Sequence, residues 1–346
     1  MAGRYAPRPT RTTVRGGETG VPRAGVPRAV VTRAVVPRPA TAAHTRRWTP
    51  KGPFDLGLTL GPLRRGPADP AFRVTPDGSV WRATRTPEGP GTLRVALRGG
   101  VAEAEAWGPG ATWLLAQLPQ LLGESDEPEA FEPRHRLLAH AHHYRPGLRL
   151  LRTGLVMESL IPSILEQKIT TDEAYRAWRI LLRTYGTPAP GPTAGLGLHV
   201  MPEPRAWSLI PSWEWHRAGV DNKRASTILR AVKVARRMEE AAAMTPADAR
   251  ARLELIPGIG PWTSAETVQR SNGAADAVTT GDVHLPGIVG YALAGNRDAD
   301  DAEMLRLLAP YEEQGQRHRA ARLILLSGRT PPRRQPKMRR TNIADW

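Results

Sequence analysis

The chain contains no cysteine, which removes disulfides, thiol nucleophiles, thiolate zinc sites and iron–sulfur clusters from consideration together. It has no apolar run near the roughly 18 residues that a membrane helix needs. Residues 1–47 also lack the short apolar core of a secretory signal. They are Arg-rich and acid-poor like an organelle transit peptide, but they hold no serine and many prolines, so a cytoplasmic protein is expected. Lysine is scarce as well: only five of the 49 basic residues are Lys. With Ala, Gly and Pro abundant, the arginine content has genomic composition bias as its plain alternative, and charge alone does not carry a function. Acidic residues are nearly absent from both ends. Residues 1–47 carry net +9 and residues 329–346 net +5, leaving only +2 of the total +16 for the rest. The ends make the protein basic, while the body is nearly neutral and has room for a local patch.

What is present is enough for a sizeable core: 346 residues, 40% of them hydrophobic, sufficient for about two domains. Residues 1–47, with the loose recurrence V-P-R-A, read as a disordered basic tail, either a polyanion tether or a solvated extension. Residues 48–128 read as a small α+β unit. In it "GSVWRATRT" and "GTLRVALRG" alternate with period two across "PEGPG", and "ATWLLAQLPQLLG" has helical spacing. Residues 129–328 are dominated by helical patterns, so the fold class is mostly α. "NKRASTILRAVKVARRMEEAAAM" predicts one long amphipathic helix, and "TPADARARLELI" opens with Thr245 as N-cap, Pro246 at the first helical position and Asp248 at the third. Residues 329–346 form a second basic, proline-broken tail.

The segment "LELIPGIGPWTS" places Pro257, Gly258, Ile259 and Gly260 between a helix ending at Ile256 and another starting near Pro261. Glycines there permit positive φ and keep side chains away from the outer surface, so backbone N–H groups can face outward. The second helix adds its unpaired N-terminal N–H groups and positive dipole end, and a phosphate suits that place. Ile259 is expected to point inward and pin the hairpin with Leu253, Leu255 or Ile256. An ordinary turn between helices is the plain alternative; a dinucleotide fingerprint is not, since the third glycine is missing and no strand precedes. Twenty residues beyond Trp262, Asp282 stands in "TTGDVHLPGIVGYAL" before an apolar helical run, where it suits an N-cap.

"LELIPGIGPWTSAETV" followed by "TTGDVHLPGIVGYAL" resembles the helix-hairpin-helix-plus-aspartate signature of base-excision DNA glycosylases (the HhH-GPD superfamily). "YRPGLRLLRTGLVMESLIPSILEQKIT" and "AGVDNKRASTILRAV" are similar to segments of 3-methyladenine DNA glycosylase II, the alkylation-repair branch. The resemblance covers roughly residues 48–328. It implies a helical glycosylase domain preceded by a small α+β domain, acting on double-stranded DNA that carries a damaged base. It further implies a flipped-out nucleotide whose N-glycosidic bond is hydrolysed, and an Asp282 carboxylate stabilising the oxocarbenium-like sugar and helping to align water. Trp262 and Gln167 are then base-pocket candidates, Trp262 by stacking on an electron-poor alkylated base. Gly258, Ile259, Gly260 and Thr263 form the phosphate-binding hairpin, and Lys223 and Arg224 are further DNA contacts. No cofactor is required and no metal site is expected, although the hairpin's backbone carbonyls offer a place for a structural cation. One site per extruded base suffices, so a monomer is expected, associated with the nucleoid if the host is bacterial.

In bifunctional relatives the position of Trp262 holds a lysine nucleophile, so the resemblance implies a monofunctional enzyme. A glycosylase with lyase activity is the third choice, after a non-catalytic helix-hairpin-helix DNA-binding protein. A binding module has no use for Asp282, because a carboxylate near a polyanion costs affinity. The chain departs from the family in having Gln316 and no tryptophan where some alkylation enzymes carry a pocket Trp. The wedge residue that fills the gap in DNA is expected after "TYG", with Leu196 and Leu198 as candidates. His135, His140, His142 and His143 lack metal-site spacing, and Trp207, Trp213 and Trp215 are expected in packing roles.

Overall fold

The computed structural model describes residues 43–332; the basic-tail readings of residues 1–42 and 333–346 lie outside the described residues. Five strands form one antiparallel sheet in the order β1-β5-β4-β3-β2: β1 (His44–Trp48), β2 (Phe72–Val74), β3 (Val80–Thr86), β4 (Gly89–Arg98) and β5 (Val101–Trp107). The β3–β4 hairpin is the expected pair, registered from Val80 opposite Val95 to Thr86 opposite Gly89. The tail boundary expected at residue 47 moves, because residues 44–47 belong to the edge strand β1. Their partner β5 alternates alanine and glutamate: Ala102, Ala104 and Ala106 are buried, and Glu103 reaches Arg47 across the open face at 3.4 Å.

The helices run α1 (Leu56–Leu60), α2 (Ala111–Leu121), α3 (Arg136–His143), α4 (Val156–Leu165), α5 (Thr171–Tyr185), α6 (Pro204–Ser208) and α7 (Ser212–Arg217). They continue through α8 (Asn222–Lys233), α9 (Ala235–Glu239), α10 (Pro246–Glu254), α11 (Pro261–Ser271), α12 (Leu285–Ala294), α13 (Asp301–Leu308) and α14 (Arg317–Ser327). Helix α2 covers one face of the sheet, and its Leu114, Leu118 and Leu121 pack against Leu93, Val95 and the β5 alanines. On another cluster Trp81 and Trp107 stack at 5.4 Å, with Leu198 and Val200 of the segment after α5 against them. One helical core gathers α4, α5, α8, α10 and α11, and a second gathers α3, α12, α13 and α14.

Local signals hold where side chains cap the backbone. Thr245 accepts from the Asp248 N–H at the start of α10, and Thr170 and Glu173 form a reciprocal capping box on α5. The long helix expected over residues 222–244 is broken instead. Val234 leaves helical geometry at φ −118°, ψ 25°, and a new short helix follows. The reorientation aims the Glu239 carboxylate at the start of α4, where it accepts from the N–H groups of Val156 (2.7 Å) and Met157 (3.0 Å). An interhelix cap thereby satisfies donors that an apolar N-terminus leaves orphaned. Among the described residues no helix is long and apolar enough to cross a membrane.

The second helical core is joined to the loop after α2 by a buried ion pair. Asp126 accepts from the fully buried Arg319 guanidinium with one oxygen and from the Leu150 N–H with the other, at 2.9 Å. Arg319 Nε is satisfied by Gln316 Oε1 at 2.8 Å. Removing one partner of such a pair strands the other charge out of water. Asp126→Ala is therefore expected to lower the unfolding free energy by about 3–5 kcal/mol, measured by urea unfolding, with the larger part retained by neither Asn nor Ala because both leave Arg319 uncompensated.

Candidate active site at the hairpin

Between α10 and α11 the chain reverses through Pro257–Gly260 as expected, with Gly258 at φ +101°. A Cβ on Gly258 would lie 2.2 Å from Thr227 Oγ1 of α8, so close approach to α8 as well as the backbone angle requires glycine here. Three braces hold the turn. Ile259 is buried in the helical core with Leu253, and Ile256 packs against it, while Leu255 points to solvent. Arg230 of α8 donates to the Pro257 carbonyl at 3.1 Å. Gln167, at the α4–α5 corner, donates to the Gly258 carbonyl at 2.9 Å and to Thr263 Oγ1 at 2.8 Å. No side chain caps α11, so its first-turn N–H groups remain available to a ligand above the glycines.

Asp282 sits where two constraints meet. Its Oδ1 accepts from the N–H groups of His284 and Leu285, both at 2.8 Å, and so caps α12 from outside. Its Oδ2 accepts from the Trp262 indole N–H at 2.9 Å. The carboxylate is thus fixed in orientation by backbone on one side and by the first turn of α11 on the other, while remaining partly open to solvent. The segment leading to it is laced along α11: Gln269 donates to the Ala277 carbonyl and to Thr279 Oγ1, and Thr279 Oγ1 donates to Glu266 Oε1 at 2.8 Å.

The remaining candidates divide by orientation. Lys223 is exposed at the start of α8, beside the hairpin's brace. Arg224 needs correction: it is buried, and its guanidinium donates to Asp221 and to the carbonyls of Leu165 and Gly219, leaving nothing for a phosphate. Its neighbour Asp221 caps α8, which turns Arg224 inward. Thr263 is likewise buried, contributing to the hairpin through Gln167 and not through its own surface. Gln167 acts on the hairpin backbone, and beside it Lys168 is exposed at φ +55°, the only non-glycine with positive φ among the described residues. Leu198 is buried against the Trp81–Trp107 cluster, which removes it as a wedge candidate, while Leu196 is only partly buried there. Trp207 and Trp215 stack in the core and Trp213 is exposed. Among the described residues no group of His, Asp and Glu is close enough to hold a metal ion.

Glu266 and Arg270 were not singled out in the sequence. With Trp262 they recur at four-residue intervals and share one face of α11. Glu266 Oε2 pairs with Arg270 at 2.8 Å. Burial disfavours its charge, but Arg270, the Thr279 hydroxyl and Arg65 outweigh burial and hold the carboxyl below its usual range. Opposite stand His318 and Arg322, one turn apart on α14. Burial, then Arg322, Arg270 and Arg319, hold His318 neutral well below the ordinary histidine range. Burial and the same neighbouring arginines bring Arg322 down to about 10. The legible signal was the repeat of charged residues at helical spacing.

No family model and no curated protein matches the chain. Solved structures do. The 3-methyladenine DNA glycosylase of Archaeoglobus fulgidus superposes with a TM-score of 0.64 at 16% identity, over 82% of this chain and 98% of that one. MBOgg1 in complex with a low-affinity DNA ligand gives 0.62 at 18%, over 84% and 99%. The 8-oxoguanine glycosylase/lyase of Clostridium acetobutylicum, bound to double-stranded DNA with cytosine opposite 8-oxoguanine, gives 0.61 at 12%, over 80% and 92%. The chain therefore has the fold of the helix-hairpin-helix DNA glycosylases, a mostly helical domain with a small antiparallel sheet at its N-terminal side.

His318 gives the site a pH signature. The unfolded chain binds a proton near pH 6.5 and the folded chain only well below it, so acidification through this window favours unfolding. Stability is expected to fall below about pH 6.5 by up to about 1.4 kcal/mol per pH unit from this group. Comparing chemical unfolding of His318→Gln with the unsubstituted protein between pH 7 and 5 checks it: the variant should show the shallower slope.

Proposed function

We propose that this protein is a monofunctional DNA glycosylase of base-excision repair. The observation that carries the reading is the Asp282 carboxylate, held by the α12 backbone and by Trp262 directly beside an uncapped, glycine-turned helix start. A phosphate of a damaged duplex would bind the hairpin N–H groups, with Lys223 adding charge nearby. The extruded nucleotide then presents its sugar to Asp282. As the C1′–N bond breaks, its electron pair leaves with the base and positive charge develops on the sugar. The fixed carboxylate stabilises that charge and orients the water whose oxygen bonds to C1′, its proton passing to solvent or to the base. The carboxylate held by two backbone N–H bonds and an indole N–H needs no reorganisation when the charge appears.

Trp262 supports the monofunctional reading. It occupies the position at which the resemblance puts a lysine nucleophile in lyase relatives, and an indole cannot attack the sugar. The finer expectation, an alkylated base of the 3-methyladenine type, rests on the resemblance of residues 144–170 and 218–232 to the alkylation branch, and the charged face of α11 bears on it below. The expected partner is double-stranded DNA, and the expected form is a monomer without a cofactor.

Single-turnover base release from duplexes carrying alkylated, deaminated or oxidised bases tests the reading. Asp282→Asn keeps an oxygen to cap α12 and removes the charge, so base release should fall by about 10²–10⁴-fold. DNA affinity should hold or rise, since a negative charge facing phosphates is lost. Strand breaks should appear only after alkali. Binding without release of any base would establish a binding module, and breaks without alkali would establish a lyase.

A further inference from the structure

Beneath Trp262 and Asp282 the charged face of α11 forms one wall of a recess. Glu266 lies one helical turn, about 6 Å, further along than Trp262, tied through Thr279 to the segment that carries Asp282. Arg270 follows one turn deeper, its Nε donating to the Pro62 carbonyl at 3.1 Å. Arg322 enters from α14 and donates to the Leu58 carbonyl at 2.8 Å, so residues 58–65 close the far side. Arg65 there is paired with Glu166 at 2.8 Å, at the corner that also carries Gln167. Enclosed as they are, the side chains of Glu266 and Arg270 keep 17% and 14% of their surface open to solvent. They are therefore enclosed on these sides without being sealed in a core.

The charge balance of this recess is uneven. Glu266 is matched by Arg270 and Glu166 by Arg65, but Arg322 has no ion-pair partner among the described residues. Its Nε is buried and has no hydrogen-bond acceptor. A buried guanidinium N–H left unsatisfied is costly, and the cost is relieved by an occupant that brings an acceptor oxygen. An occupant that brings a positive charge meets an uncompensated cation in a medium where like charges are weakly screened. His318, facing the same guanidinium groups, is disfavoured as a cation by burial and by those arginines, and an imidazole supplies no negative charge.

Resting on the glycosylase reading and narrowing its substrate, we propose that the recess lined by Glu266, Arg270 and Arg322 is the base pocket and selects a neutral, carbonyl-bearing damaged purine over a cationic alkylpurine. The base carbonyl accepts from Arg322 Nε, and base N–H groups donate to the free lone pairs of Glu266. Trp262 then closes over the entrance with its indole edge committed to Asp282. Arg322 is the specificity-determining residue in this arrangement.

The test is single-turnover release by the full chain from four duplexes of identical sequence. They contain hypoxanthine or 8-oxoguanine (neutral with a carbonyl), ethenoadenine (neutral without one) or 7-methylguanine (cationic with one). At least one of the first two should be released about 100-fold faster than 7-methylguanine, the factor expected of a like charge a few ångströms from a guanidinium, and faster than ethenoadenine. Arg322→Met should slow the preferred base at least tenfold and shift the ratio towards 7-methylguanine. Release of 7-methylguanine or ethenoadenine at an equal or higher rate overturns the assignment while leaving the glycosylase intact. Equal slowing of all four bases in the variant likewise overturns the role of Arg322. Should the variant not fold, the rates of the unsubstituted protein on the four duplexes decide by themselves. If no base is released from any of these or from the wider set of substrates above, the glycosylase reading falls, and the pocket assignment with it.

Discussion

The close packing of α11 against α4 is the constraint on which the rest depends. The buried residues of α11 include Thr263, Ser264, Ala265, Thr267, Val268 and Ser271, and those of α4 include Ser159 and Ser163. These are small residues, and hydroxyls that would be costly in an apolar core are returned to the helix itself: Thr267 to the Thr263 carbonyl, Ser271 to the Thr267 carbonyl, Ser163 to the Ser159 carbonyl. Small side chains let the two helices approach closely and leave α11 no freedom to rotate. Because one face is locked, the opposite face presents Trp262, Glu266 and Arg270 in fixed register.

The hairpin and the carboxylate are two consequences of one rigid helix. Upstream, α11 begins at the glycine turn, which Thr227, Arg230 and Gln167 fix from α8 and from the α4–α5 corner. Downstream, the chain returns antiparallel to α11, tied by Gln269, Glu266 and Trp262 at successive turns until it reaches Asp282. The glycine turn and the Asp282 carboxylate therefore meet at one end of the same hydrogen-bonded ladder, the N-terminal end of α11. Precision of this kind cannot come from a loop alone, and here the loop inherits it from the helix.

How much of this was legible in the sequence follows from the range of the forces involved. The glycine turn, its inward Ile259 and the capping position of Asp282 were legible because each depends on a few adjacent residues: glycine spacing, a proline after the turn, an acid before a helix. Arg224 was misassigned because a basic residue in the first turn of a helix has the same sequence appearance on either face. Only the tertiary acceptors at Leu165 and Gly219 show which face is buried. The α8–α9 break was illegible because its reason, the capping of α4 by Glu239, lies about eighty residues away in the chain. Strand β1 was hidden because "HTRRW" shares the basic composition of the tail before it, and only pairing with β5 makes it a strand. Glu266 and Arg270 look like an ordinary surface pair at i and i+4, and nothing local distinguishes such a pair from one facing a recess.

That ambiguity also resolves the charge problem. The body of the chain is close to neutral, yet the proposed function asks for positive potential where a duplex would lie and a preserved negative charge where its sugar would react. Many acids are neutralised in ion pairs, as with Asp221 and Arg224, Glu166 and Arg65, Glu266 and Arg270, and Asp126 and Arg319. Asp282 is different: its partners are N–H dipoles of the backbone and of an indole, which orient the carboxylate without cancelling its charge. A guanidinium in place of Trp262 would have fixed the same geometry and neutralised the group. The choice of dipoles over a cation is what keeps a full negative charge available at a rigid point.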